Sequence, residues 1–205
     1  MKYEPQLATL VKQPPAGDGW LHEIKYDGYR MGCAISPDGV RFTSRNGLDY
    51  TGALPEIAAD AKALPVTSAL LDGELVVLLE DGRASFQALQ QAMGEAGKAG
   101  RARAGLVYLV FDLLALDGAP LLDHPLEERK ARLQALVARG GGRRIRYADH
   151  VVGHGDAFFA QATKLGVEGI VSKRRDGVYQ PGRPAGWLKD KCLRDEPFVV
   201  GGYTD

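Results

Sequence analysis

Apolar and polar positions alternate with a period of two through much of the first half of this chain, the spacing expected of half-buried strands. The pattern predicts strands over Leu21–Tyr26, Arg30–Ser36, Val40–Ser44 and Ala69–Leu79. Asp27-Gly28 reads as a turn between the first two, Pro37-Asp38-Gly39 as a hairpin turn, and Asp72-Gly73 interrupts the fourth strand. Pro55–Leu64 reads as a short helix, with Pro55 at the first position, where a missing N–H costs nothing. Ser85 caps a second helix running to about Met93. Leu106–Leu116 is an almost unbroken apolar run bounded by turns, the mark of a buried strand. Pro125–Ala138 carries Leu126, Leu133, Leu136 and Val137 at helical spacing, with a charged remainder. Arg143–Tyr147 is a short strand, Asp156–Leu165 a helix, and Glu168–Arg174 and Trp187–Cys192 are two last strands. Gly94–Gly105, rich in Gly, Ala, Lys and Arg, reads as a loop, and Phe198–Asp205 as a strand and turn leading onward.

Hairpins joined to interspersed helices predict a mixed α/β (α+β) fold, mainly antiparallel sheets flanked by helices. The strict strand-helix alternation of a doubly wound parallel sheet is missing. So are the Gly-x-Gly-x-x-Gly and Gly-x-x-x-x-Gly-Lys-Ser loops, and any phosphate must therefore be held by side chains.

Composition adds limits. A chain of 205 residues suffices for one large domain. Its 26 basic residues balance 26 acidic ones, so no global field announces nucleic acid. Locally the balance tips: Lys173, Arg174, Arg175, Arg183, Lys189, Lys191 and Arg194 face only Asp176 and Asp190 in their stretch. For Arg174 and Arg175 a DNA contact and a solvated surface weigh equally. Cys33 and Cys192 form no Cys-x-x-Cys pair, and no signal peptide or apolar run near membrane-spanning length appears, which predicts a reduced, cytoplasmic protein.

The candidate chemistry sits on the strands. Glu23 and Lys25 share one strand face and Ile24 the other, ahead of Arg30 in the spacing Lys-x-Asp-Gly-x-Arg. Asp72, Glu74 and Val76 share a face of an apolar strand, where a carboxylate is costly unless bonded. Glu74 either pairs with an arginine, accepts a ribose hydroxyl or helps hold a metal. Phe111, judged on its own segment, reads as core. Glu168 lies at the mouth of a strand. Lys189 and Lys191 share a strand face, where two ammonium groups repel unless an anion lies between them. His22, His124, His150 and His154 match no zinc spacing, His22 faces away from Lys25, and Asp149-His150 is a loop pair with no assigned role. Cys192 reads as structural. A candidate amine nucleophile with two carboxylates, two arginines and paired lysines fits phosphoryl transfer to nitrogen. An ammonium has no lone pair, so such a nucleophile requires nearby cations and a divalent metal to favour its neutral form.

Six ordered segments carry a family resemblance: Lys25-Tyr26-Asp27-Gly28-Tyr29-Arg30, Ser44-Arg45-Asn46-Gly47, Asp72-Gly73-Glu74, Phe111-Asp112-Leu113-Leu114, Glu168-Gly169-Ile170-Val171-Ser172-Lys173 and Trp187-Leu188-Lys189-Asp190-Lys191. The series resembles that of ATP-dependent DNA ligases, and Trp20–Lys25, Ser172–Asp176 and Phe198–Thr204 look like the ligase module of bacterial ligase D. The resemblance implies a covalent nucleotidyltransferase (ATP-grasp-like) fold, with an adenylation domain over residues 1–195 and residues 196–205 starting a linker toward an OB-fold domain. It implies that Lys25 takes AMP from ATP as a phosphoramidate. Glu23, Ile24 and their neighbours would recognise adenine, and Phe111 would stack on it. Arg30 and Glu74 would hold the ribose and Arg45 a phosphate. Lys189 and Lys191 would contact the α-phosphate, and Glu168 with Glu74 would hold Mg²⁺ or Mn²⁺. The implied partners are nicked or broken double-stranded DNA, a Ku-type end-binding protein and, in a parent chain, OB-fold, polymerase and nuclease domains. The molecule would be a monomer associated with the bacterial nucleoid. The alternatives are an RNA ligase or GTP-dependent capping enzyme, which share the lysine motif, and a non-catalytic nucleotide-binding module. Asp190 departs from the apolar or small residue usual at its place, and strand alternation turns it away from the lysines.

Overall fold

The computed structural model describes residues 2–94, 105–140 and 142–192. Two sheets face each other. The six-stranded sheet contains β3 (Tyr29–Ser36), β4 (Gly39–Ser44), β5 (Ala69–Val77), β6 (Leu106–Leu116), β7 (Ala119–Pro120) and β8 (Ile145–Tyr147), in the order β4-β3-β5-β6-β7, with β8 beside β6. The five-stranded sheet contains β1 (Thr9–Leu10), β2 (Trp20–Lys25), β9 (His150–Val152), β10 (Gly169–Arg174) and β11 (Trp187–Lys191), in the order β1-β11-β10-β2-β9. Pairing is antiparallel except for β1 with β11 and β6 with β8. The mixed fold with largely antiparallel sheets is the one the patterning predicts.

Period-two alternation sorts the side chains of β5. Leu71, Leu75 and Val77 join the main core, shared with Ile57 and Ala61 of α1 (Pro55–Lys62), Leu89 and Ala92 of α2 (Phe86–Met93) and Leu133 and Leu136 of α3 (Leu126–Gly140). Asp72, Glu74 and Val76 therefore look the other way, toward the five-stranded sheet. The fourth helix, α4 (Gly155–Leu165), packs on β10 and β2. Two local forecasts hold: Ser85 Oγ accepts the Ala88 N–H at 3.2 Å, and Pro55 begins α1.

Other expectations are corrected. Asp27-Gly28 is the turn expected between two strands, but those strands do not pair with each other: β2 pairs with β10 and β9 while β3 pairs with β4 and β5. The turn instead carries the chain from one sheet to the other. A Cβ on Gly28 would lie 2.3 Å from Leu75 O, so only glycine permits this close crossing. Asp72-Gly73 stays within β5, and the break appears as a register shift against β6. His150 opens strand β9 rather than lying in a loop. The charged remainder of α3 is not all solvated, since Arg129 and Lys130 are almost fully buried. The predicted loop over 94–105 falls largely outside the described residues, as do Arg194 and the final strand.

Candidate active site

The site lies in the cleft between the sheets, a space of about 210 Å³ bordered by β2, β10 and β11 on one side and by β3, β5 and β6 on the other. Alternation on each strand selects what reaches it. Glu23 and Lys25 come from β2, Lys173 from β10, and Trp187 and Lys189 from β11. The facing sheet supplies Arg30, Glu74 and Phe111, and Arg45 follows β4 with its N–H on the Arg30 carbonyl at 3.1 Å. Of the residues singled out in the sequence, Glu23, Ile24, Lys25, Arg30, Arg45, Glu74, Phe111 and Lys189 line this one cleft. Glu168 and Lys191 line a second cleft, of about 520 Å³, which Lys25 also borders.

Lys25 thus stands where the two spaces join. Its Nζ donates to Glu168, whose other oxygen lies 3.5 Å from Lys191 Nζ. Glu168 is not on a strand but just ahead of β10. Gly169 follows it with φ of +156°, and a Cβ there would meet Asp190 O at 2.1 Å. Lys189 is lowered from its ordinary value, by burial first and then by Lys25, Lys191 and Arg183. Those cations converge with no matching number of carboxylates, which is the condition for attracting a polyphosphate.

Phe111 owes its place to a bulge. Asp72 pairs with Asp112 and Gly73 with Val110, so Phe111 is skipped in the register. A bulged residue is released from the alternation and can be re-aimed, here toward the cleft. The ring meets Trp187 edge-on at 6.0 Å, with the Arg30 guanidinium 4.8 Å and the Lys173 ammonium 4.1 Å from its centroid. Phe111 is half-buried, packing against the cluster of Leu70, Leu114, Tyr179 and Trp187 while it borders the cleft, so the core reading holds in part.

Glu23 is buried and doubly paired, its Oε1 at 2.5 Å from Lys130 Nζ and its Oε2 at 2.6 Å from Lys173 Nζ. Burial pushes its carboxyl up, but the two lysines outweigh burial and hold it below the ordinary range. Burial brings Lys173 down to about 8 despite Glu23. Arg30 pairs with Asp72 and not with Glu74. Left without that partner, Glu74 is pushed up by burial to about 7. Asp190 does turn away from the lysines, into a buried setting that raises its carboxyl. His22 likewise packs inside, its Nδ1 2.8 Å from Ser172 Oγ.

Sequence reasoning gave no role to Lys130, Trp187 or Asp72, and counted Lys173 only within the basic stretch from Lys173 to Arg194. Lys173 had a visible signal beyond that, a lysine two positions after the apolar pair Ile170-Val171 and on the face of Val171, because a lysine in such a strand is rarely buried without a partner. Lys130 had none, since its partner is 107 positions away on another element.

A divalent ion is implied by the chemistry. Among the described residues no group of three or more His, Cys, Asp or Glu side chains is arranged to hold a metal. Mg²⁺ ordinarily takes one or two carboxylates together with substrate phosphates and water. The quarter-exposed Glu168 side chain between Lys25 and Lys191 fits that mode, and Glu74 offers a second oxygen donor.

A family model described as the ATP dependent DNA ligase domain matches residues 5–191. The chain belongs to that family. The match decides for a DNA ligase adenylation domain over the RNA-ligase and capping-enzyme alternatives. Among relatives of this ligase domain, the multifunctional non-homologous end joining protein LigD of Pseudomonas aeruginosa is 42% identical over 201 residues, covering 98% of this chain and 23% of the relative. The ligase domain of Mycobacterium tuberculosis LigD has a solved structure that matches with a TM-score of 0.76 and 34% identity, over 92% of this chain and 59% of that one. A mycobacterial DNA ligase D solved with ATP and MES matches with a TM-score of 0.77 and 35% identity, over 92% of this chain and 60% of the other. The ligase chain described here therefore spans less than a quarter of the P. aeruginosa relative's length.

Proposed function

We propose that Lys25 attacks the α-phosphorus of ATP. The attack forms a P–N bond, breaks the bond to the oxygen bridging to the β-phosphate, and releases pyrophosphate and one proton from Nζ. The observation that carries this reading is the position of Lys25 at the junction of two clefts. One is walled by an aromatic platform, the buried Glu23 and the half-buried Glu74, as a nucleoside requires. The other is lined by Lys191 and Arg83 beside Asp27 and Glu168, a set that suits a phosphate together with a divalent ion.

Phe111 stacks on the adenine, and Glu23, fixed by Lys130 and Lys173, shapes the pocket around its edge together with Ile24. Arg30 and Glu74 hold the ribose, and Arg45, Lys189 and Lys191 hold phosphates. A divalent ion, held by Glu168 with Glu74, neutralises charge on the α-phosphate when bound. The AMP then passes to the 5′-phosphate at a break in double-stranded DNA. An oxygen of that phosphate displaces Lys25, and a 3′-hydroxyl later displaces AMP to join the strands.

Residues 1–195 form the adenylation unit of this scheme, and 196–205 lead toward an OB-fold domain. Polymerase and nuclease domains accompany it in a longer protein that works with a Ku-type partner on the nucleoid. The domain acts as a monomer in the cytoplasm; among the described residues no helix is long and apolar enough to cross a membrane. A covalent adenylate on Lys25, detected by intact mass, tests the proposal.

A further inference from the structure

A third cleft, of about 570 Å³, opens outside β8, and its charged lining is Arg143, Arg144 and Arg146. We infer that this cleft is a second seat for the DNA phosphate backbone, holding the strand after it leaves the cleft at Lys25. The inference rests on the DNA ligase reading and adds to it a surface that lies outside the six sequence motifs.

Three observations carry it. The first is continuity. Leu79 lines both this cleft and the one containing Lys25, Glu168 and Lys191, so one exposed side chain is the shared wall between them. Arg83, itself paired with Asp81, stands on the near side of that wall and the arginine trio on the far side, so the second cation group adjoins the cleft that holds the nucleophile.

The second is construction. β8 pairs in parallel with β6, Tyr108 with Ile145 and Leu109 with Arg146. Ile145 is driven into the main core, so alternation turns Arg146 outward, while the half-buried Arg144 sits in the turn just before the strand. The preceding turn is tied to α1, because Asp60 Oδ2 accepts the Arg144 N–H at 2.8 Å. Arg144 also donates from Nη1 to Leu106 O at 3.1 Å. The cations are therefore mounted on fixed backbone at the edge of a sheet.

The third is charge. Arg41, Arg83, Arg174 and Arg175 each lie against a carboxylate, while the exposed Arg132 and Arg139 of α3 stand apart from the cleft. Among the described residues Arg143 and Arg146 are exposed and have no carboxylate partner, and Arg146 uses only its Nε, on the Arg143 carbonyl. Among the described residues no acidic side chain lines the cleft. A polyanion with regularly spaced charges is the ligand such a surface fits, and the forked guanidinium suits phosphate oxygens.

The test is fluorescence anisotropy of this chain on a nicked duplex, from about 50 to about 200 mM salt, the range over which phosphate contacts lose affinity most visibly. R143A/R146A is expected to bind roughly tenfold more weakly at the low-salt end, with a log K against log salt slope shallower by about two. Transfer of AMP from ATP to Lys25 should be unchanged in the variant, which also shows that it folds. R132A/R139A, removing two exposed arginines of α3 with no place in the cleft, should leave the slope as it was. An unchanged slope in R143A/R146A overturns the inference and leaves the cleft to an acidic protein segment. An equal loss in both variants, or no binding of the nicked duplex by the unmodified chain at low salt, overturns it as well. Absence of the covalent adenylate would instead strike the proposed function, and the salt slopes would still decide the role of the cleft.

Discussion

Arg30 on β3 and Asp72 on β5, diagonal neighbours two positions out of register, meet through two parallel hydrogen bonds of 2.9 and 2.6 Å. The Asp72 carboxylate also accepts the hydroxyls of Tyr3 and Tyr179, each at 2.7 Å. One fully buried carboxylate therefore joins the N-terminal segment, both central strands and the segment leading to β11, and it aims a guanidinium at the Phe111 ring. Burial opposes the charge on Arg30, and Asp72 more than restores it.

Asp72→Asn should destabilise the fold by about 3–5 kcal/mol, because it leaves a buried guanidinium without its counter-charge. Urea unfolding at neutral pH measures this as a lower midpoint with an unchanged slope. A loss below about 1 kcal/mol would show that the pair is not a structural joint.

Glu74→Gln should separate stability from function. Its carboxyl is pushed up to about 7 in the folded chain from an ordinary 4.5, so the folded state binds the extra proton between those values. Stability contributed at this position is therefore intact below about pH 4.5 and is lost as pH rises through 7. The glutamine variant should melt at a higher temperature than the parent at pH 8 and at the same temperature near pH 4.5. At pH 8 it should also form less adenylate. Equal melting differences at both pH values would contradict the burial argument.

Lys173 titrates in the opposite sense. Its folded value of about 8 lies below the ordinary 10.5, so the unfolded chain holds more protons across that window. Stability should rise with pH between about 8 and 10.5, and Lys173→Met should remove that rise. The informative quantity is the difference between parent and variant, read by chemical unfolding at pH 7.5 and pH 10. A flat difference would mean that the buried ammonium is fully compensated by Glu23.

Phe111→Ala should weaken ATP use by about 1–3 kcal/mol, the range found when a base loses an aromatic partner. Phe111→Tyr should restore it. The comparison is made on KM for ATP in the adenylation step, and equal KM values for the alanine variant and the parent would sink the stacking role.

Much of this was readable from local pattern. The run Leu106–Leu116 is strand β6 with the expected ends, because an apolar stretch bounded by turns leaves few alternatives. Lys25, Arg30, Glu74 and Lys189 share a cleft because alternation on separate strands points them inward. What the pattern missed depends on partners far away in the sequence. Nothing near Asp27-Gly28 reveals that its flanking strands belong to different sheets, and the bulge that frees Phe111 exists only in the register against β5. Arg129 and Lys130 look like the solvated face of α3. They are buried because Asp112 and Glu23 meet them there, Arg129 Nε at 2.7 Å and Lys130 Nζ at 2.5 Å.

The central claim is that Lys25 becomes covalently adenylated. Its most direct test is the intact mass of the chain before and after incubation with ATP and Mg²⁺ or Mn²⁺, beside Lys25→Ala. The account predicts one added adenylate, removed by pyrophosphate, absent from the variant and not replaced by guanylate when GTP is supplied. A chain whose mass never changes, or an adenylate that persists in Lys25→Ala, would contradict it.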